Sequence, residues 1–229
     1  MVSKALVSFQ STLEVVDGLW QERTVALTAY HRARRDVRTA TDPFATTVAD
    51  ARAQNRWTLH RALVQSAQVR LVTAWEVFLA DLVAEHLKKN PQVFRTTWKF
   101  AGTRGADYRM LVATIHNRPF QSPGKAKEVL QKYLGKDILG QPAQTGVNFA
   151  PVEDAVALRN AIVHRGGAAT DEMRKRLGVK RQAADSYLLA PPSGSASVPA
   201  TNFERIQMGV LEAALTLDRR AAMPTPRPP

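Results

Sequence analysis

The chain has no cysteine among its 229 residues. That excludes a disulfide framework, a thiolate zinc site, an iron–sulfur cluster and a cysteine nucleophile, and it suits a reducing cytosol. Long apolar runs are also missing. The most apolar stretch, residues 71–84, is broken by Glu76 and Asp81, and it falls short of the roughly 20 apolar residues of a membrane span. The first ten residues hold one Lys and no sustained apolar region before Gln10, Ser11, Thr12 and Glu14, so no signal peptide is read there. A soluble, cytoplasmic protein with no membrane partner is expected. Breakers are scarce: Gly18 and Pro43 are the only glycine and proline before residue 91. No alternating run is long enough for a sheet strand, and no internal repeat is found. Acidic residues are outnumbered 20 to 32, for a net charge of +12. Such an excess favours polyanionic partners, nucleic acid ahead of anionic membrane. Arginine supplies 22 of the 32 cations, and its planar fork suits phosphate.

What is present points to one helical domain. At roughly 150 residues per domain the length allows about one and a half, and a chain of this size buries enough surface to need no covalent staple. The 45% hydrophobic and 23% charged content is that of an ordinary globular protein. The expected fold is all-α, an up-and-down helical bundle with long N-terminal helices, over residues 1–222. Residues 223–229, with four prolines, read as a disordered or extended tail.

Leu6, Leu13, Trp20 and Leu27 recur every seven residues, and Phe9, Val16, Arg23 and Tyr30 follow at an offset of three. This predicts a long amphipathic helix over about 2–40, its stripe serving as core or dimer interface. Arg32, Arg34, Arg35 and Arg38 complement its C-terminal dipole. A second helix is predicted over 44–90, with the apolar half from Leu71 as the central buried element. Glu76, Asp81 and Glu85 mark either its less buried stripe or a polar contact with another helix. Residues 94–104 mix Phe94, Trp98 and Phe100 with cations, for base stacking or core packing. Shorter helices are predicted over 107–115 and 125–134, then loop over 138–148. A helix over about 151–165 follows, started by Pro151, Glu153 and Asp154 and stopped by Gly166-Gly167. A turn or short helix over 171–177, an extended piece over 187–190 and a last helix over 201–222 complete the reading.

Familiar catalytic motifs are absent: no H-E-x-x-H, G-x-S-x-G, P-loop or G-x-G-x-x-G occurs. His31, His60, His86 and His116 have no companions. His164 does, in A-L-R-N-A-I-V-H-R-G-G at residues 157–167. Arg159, the adjacent polar Asn160 and His164, late in an amphipathic helix closed by a glycine pair, resemble the signature of the HEPN superfamily. The segment L-V-T-A-W-E-V-F-L-A-D-L looks like the central helix of prokaryotic HEPN proteins found with toxin and anti-phage systems. The resemblance spans about residues 60–170 in pattern, with specific residues only in the motif. It implies a homodimeric, metal-independent endoribonuclease acting on single-stranded RNA and leaving a 2′,3′-cyclic phosphate and a 5′-hydroxyl. It also implies a possible antitoxin or defence-system partner subunit. No cofactor or metal is expected.

The residues carry an argument of their own. Asn160 and His164 are four apart and share a helix face. Arg159 and His164 are five apart, about 140° around the axis. Either the long Arg side chain closes that gap, or two copies of the helix meet and exchange partners; the resemblance implies the second. Cleavage of RNA needs a proton acceptor for the 2′-OH, a cation on the crowded phosphate and a donor for the leaving oxygen. Histidine and arginine supply those functions, and Asn160 can orient either. A histidine near a helix C-terminus also serves as a cap or packing residue. Arg165 reads as a phosphate contact or a solvated charge, and Arg174, Lys175 and Arg176 as an RNA path or a solvated face. Two rivals stand beside the nuclease: a non-catalytic HEPN-like module binding RNA or protein, and a DNA-binding regulator, for which no helix-turn-helix pair is evident.

Overall fold

A computed structural model describes residues 2–90, 120, 123–140, 146–179, 182–192 and 201–222. Among these the protein is all-α, with seven α-helices: α1 Lys4–Thr39, α2 Pro43–Lys89, α3 Pro123–Leu134, α4 Ala150–Arg165, α5 Asp171–Leu177, α6 Ala184–Leu189 and α7 Asn202–Ala222. The aromatic–basic stretch at 94–104, the helix expected over 107–115, and the tail at 223–229 lie outside the described residues.

Two long helices form the spine because nothing in residues 4–39 or 44–89 breaks them. Asp42 sets the turn between them: its carboxylate accepts from the Phe44 and Ala45 N–H groups at 2.9 and 3.0 Å, with Pro43 at the first helical position. The start of α1 is tied down by its own cap and by two other helices. Ser3 caps Leu6 at 3.0 Å, Glu85 of α2 accepts from the Ala5 N–H at 2.6 Å, and Asp218 of α7 accepts from the Ser3 N–H at 3.5 Å. Glu85 thus makes the interhelical polar contact that its place in an apolar helix allows.

The core gathers the apolar half of α2 (Leu71, Trp75, Phe78, Leu79) with Leu158 of α4, Met173 of α5, Leu188 of α6 and Phe203 of α7. The seven-residue stripe of α1 is buried as expected from Leu6 to Trp20. Leu27 and Tyr30 are only half-buried, and the inner positions pass to Ala26 and Ala33. The change has a cause. The main core reaches no further than Trp20 on α1 and Val64 on α2. Tipward of these, Ala26, Ala33, Ala49 and Ala53 fill the seam, so the two helices continue together as an arm about 30 Å long. Trp20 closes the root, stacked on Phe203 at 4.0 Å with the Arg23 guanidinium over its other face at 3.7 Å.

Two expectations are corrected. Residues 187–190 are not extended: Tyr187–Leu189 belong to α6, held by the Ala184 N–H on the Gly167 carbonyl at 2.8 Å and by burial of Leu188. Ile138 and Leu139, read as loop, close a single 3-10 turn over Lys136–Leu139, with Ile138 in the core.

Candidate functional site

The site is built on α4. Asn148 accepts from the Ala150 N–H at 3.1 Å and Pro151 occupies the first turn. Val152, Ala155, Val156, Leu158, Ala161 and Ile162 are buried, and Gln68 of α2 reaches into the core to donate to the Ala155 carbonyl at 2.8 Å. The first turn is clamped by cations. Arg176 of α5 binds Asp154 at 2.9 Å and also Glu153, Lys127 of α3 binds Glu153 at 2.7 Å, and Arg205 of α7 binds Asp154 at 3.5 Å. Burial works to raise the Glu153 pKa, but Lys127 and Arg176 outweigh it and leave the carboxyl below its ordinary value. At Asp154 burial wins, and the pKa is raised despite Arg176 and Arg205.

The apolar face of α4 stops at Ile162. Val163, His164, Arg165 and Gly166 are all exposed. The helix ends on Gly166 and Gly167, with φ of 59° and 91°, and both N–H groups donate to the Ala161 carbonyl. Positive φ at two successive positions is what the glycine pair supplies. His164 therefore sits on a free final turn beside a sharp exit.

Arg159 is placed differently. Its side chain is 11% exposed and donates through Nη2 to Glu76 of α2 at 2.9 Å. Burial raises the Glu76 pKa, and Arg159 recovers only part of that shift. Within one chain, Arg159 turns inward to α2 and His164 faces solvent; no hydrogen bond joins them. Asn160 is half-buried on the His164 side of the helix. Arg165 is exposed. Of the cations placed on an RNA path or a solvated face, Arg176 is engaged in the clamp on α4. Arg174 binds Asp171 at 3.0 Å and the Ala169 carbonyl at 3.2 Å, and Lys175 is exposed.

Three further residues contribute to the site. Glu76 reads from the sequence as part of a less buried stripe or as a polar contact with another helix, and the structure shows the second, with Arg159 as the partner that the sequence leaves unnamed. Arg61 and Gln65 of α2, which approach Gly167, belong to no motif; their recurrence at helical spacing with Gln54 and Trp57 is the signal that the sequence offers. Together with Gly166 they line a hollow of about 420 Å³ beside the end of α4. Among the described residues, no group of three or more His, Asp or Glu is gathered to hold a metal ion, and no helix is long and apolar enough to cross a membrane.

The chain matches no family model, no curated protein and no solved structure.

Proposed function

We propose that the chain is a metal-independent endoribonuclease of the HEPN type, working as a homodimer on single-stranded RNA, in a toxin or anti-phage setting. The observation that carries this reading is the solvent-facing last turn of α4, where His164 stands free at the end of the R-N-A-I-V-H segment. One copy offers one such imidazole. Two copies meeting at this turn would bring two imidazoles to one phosphodiester, with Val163 at 52% exposure available to be covered. One imidazole takes the proton of the ribose 2′-OH as that oxygen attacks phosphorus. The P–O5′ bond breaks, and the other imidazole returns a proton to the leaving O5′. Arginine stabilises the charge gathering on the phosphate oxygens, supplied by Arg159 with Arg165 beside it; Asn160 orients.

A second reading is favoured by the Glu76–Arg159 pair. An arginine already satisfied by a carboxylate suits a non-catalytic module that binds RNA or protein. One experiment separates the two: digestion of single-stranded RNA by the wild type and by His164→Ala, with and without EDTA, with end-group analysis. The nuclease reading expects fragments ending in 2′,3′-cyclic phosphate, unaffected by EDTA and lost in His164→Ala. Full cleavage by that variant discards the site. Loss of activity with EDTA rejects the mechanism, and binding without cleavage gives the second reading.

A further inference from the structure

The face of α2 that leads to the end of α4 carries Asp50, Gln54, Trp57, Arg61 and Gln65. Their spacing of three and four residues makes one stripe about 22 Å long. Two hollows run along it and share Gln54 and Trp57. The outer, of about 520 Å³, is closed by Tyr30 and Arg34 of α1; the inner ends at Gly166, two residues beyond His164. Trp57 is half-buried, with the rings of Tyr30, across the outer hollow, and of the buried His60 each at 5.3 Å. An indole held by two neighbouring rings and lining both hollows is a rigid platform.

The arm carries an excess of arginine. Residues 24–61 hold seven arginines against three aspartates, and no lysine or glutamate. Arg34 uses Nη1 on Asp50 at 3.1 Å. Arg61 uses Nε on the buried Asp185, while its Nη2 lies near Gly167. Each guanidinium is fixed by one carboxylate and keeps further N–H donors for phosphate. Gln54 adds an exposed amide.

We propose that this stripe, with Tyr30 and Arg34 opposite it, is the bed on which a single strand of RNA approaches the His164 turn, a base resting on Trp57. The bed rests on the ribonuclease reading for why RNA lies there. Single strands fit because an aromatic platform needs an unpaired base, whereas duplexes are held by their grooves and backbones. A second copy of this chain is disfavoured on this face, because it would set arginine-rich arm against arginine-rich arm.

The test uses the full chain and a fluorescein-labelled 20-nucleotide oligouridine with 2′-O-methyl sugars, which cannot be cleaved by 2′-OH attack. Gln54→Glu puts a carboxylate in the bed at an exposed helical position without disturbing the fold. Trp57→Leu removes the platform, and Gln10→Glu makes the same charge change on α1 away from the bed. The first two are expected to weaken binding about 5- to 100-fold, and Gln10→Glu by less than about twofold. A 4-thiouridine version of the oligomer is expected to photo-crosslink to Trp57 or Tyr30, and duplex RNA to bind less tightly. If Trp57→Leu fails to fold, Gln54→Glu decides alone. Equal losses in Gln54→Glu and Gln10→Glu, crosslinks away from the arm, or tighter duplex binding overturn the bed. Cleavage of unmodified RNA is read separately. Binding on this face without cleavage removes the ribonuclease reading and leaves the bed, whereas cleavage with binding insensitive to Gln54→Glu removes the bed alone.

Discussion

Glu76 of α2 accepts from Arg159 of α4 at 2.9 Å, across 83 residues of chain, with both side chains largely withdrawn from water. Burial costs this carboxylate more than Arg159 returns, since its pKa stays raised. What the guanidinium needs from position 76 is therefore an acceptor more than a charge. Glu76→Gln keeps an acceptor and is expected to fall within about 1 kcal/mol of the wild type at pH 7. Glu76→Leu strands a mostly buried cation and is expected to cost about 2–3 kcal/mol. Urea unfolding of the two variants decides; equal losses would show that the charge itself matters.

Gly209 of α7 lies against Pro151 at the start of α4. A Cβ added there would overlap the Pro151 Cγ and Cβ. Two effects oppose each other in Gly209→Ala. Helix propensity favours alanine by about 1 kcal/mol, whereas forcing a buried proline ring aside costs about 1–3 kcal/mol. The ring is part of the backbone at the first turn of α4 and has no rotamer to yield, so the clash is expected to win, lowering the urea midpoint. A rise in that midpoint would mean that α4 and α7 separate at little cost.

The parts legible in the sequence were those with local causes. Uninterrupted spacing marked α1 and α2, and Asp42-Pro43 marked the turn between them. Gly166-Gly167 marked the end of α4, leaving His164 on its last turn. α7 opens on a capping box, with the Glu204 N–H on Thr201 Oγ1 at 3.3 Å and the Thr201 N–H on Glu204 at 3.2 Å. The illegible parts depend on what lies opposite. Six residues are too few for α6 to show a period, and it owes its place to Gly167, Arg61 and the core. The stripe of α1 shifts at Ala26 because the core stops, which no spacing within α1 records. The motif pairs Arg159 with His164 without fixing how they meet, and the partner of Arg159 within the chain comes from a distant helix.

The glycine stop gives a graded prediction. Gly166 has a φ of 59° and open space around its would-be Cβ, so Gly166→Ala is expected to cost about 1–2 kcal/mol through backbone strain, and Gly166→Asn less. Gly167 has a φ of 91° and its Cβ would meet Gln65 Nε2 at 3.2 Å, so Gly167→Ala is expected to cost more than Gly166→Ala. Chemical denaturation of the three variants checks the order. A reversed order would show that the α4 exit is set by neighbouring helices rather than by these two residues.

Glu153 and Glu76 should give opposite responses to pH. Glu153 is held below its ordinary pKa once Lys127 and Arg176 outweigh burial. Its contribution is fully present above the unfolded value, about pH 4 to 5, and is lost as pH falls through the folded pKa. Glu76 is raised by burial. Its contribution is present below that same range and is lost as pH rises through the folded pKa. Stabilities of Glu153→Gln and Glu76→Gln, measured against the wild type from pH 4 to pH 7, should therefore diverge. The deficit of Glu153→Gln grows with pH, whereas that of Glu76→Gln shrinks. Parallel slopes would show that the two carboxyls share one electrostatic environment, against the separation of the clamped first turn of α4 from the buried pair on its flank.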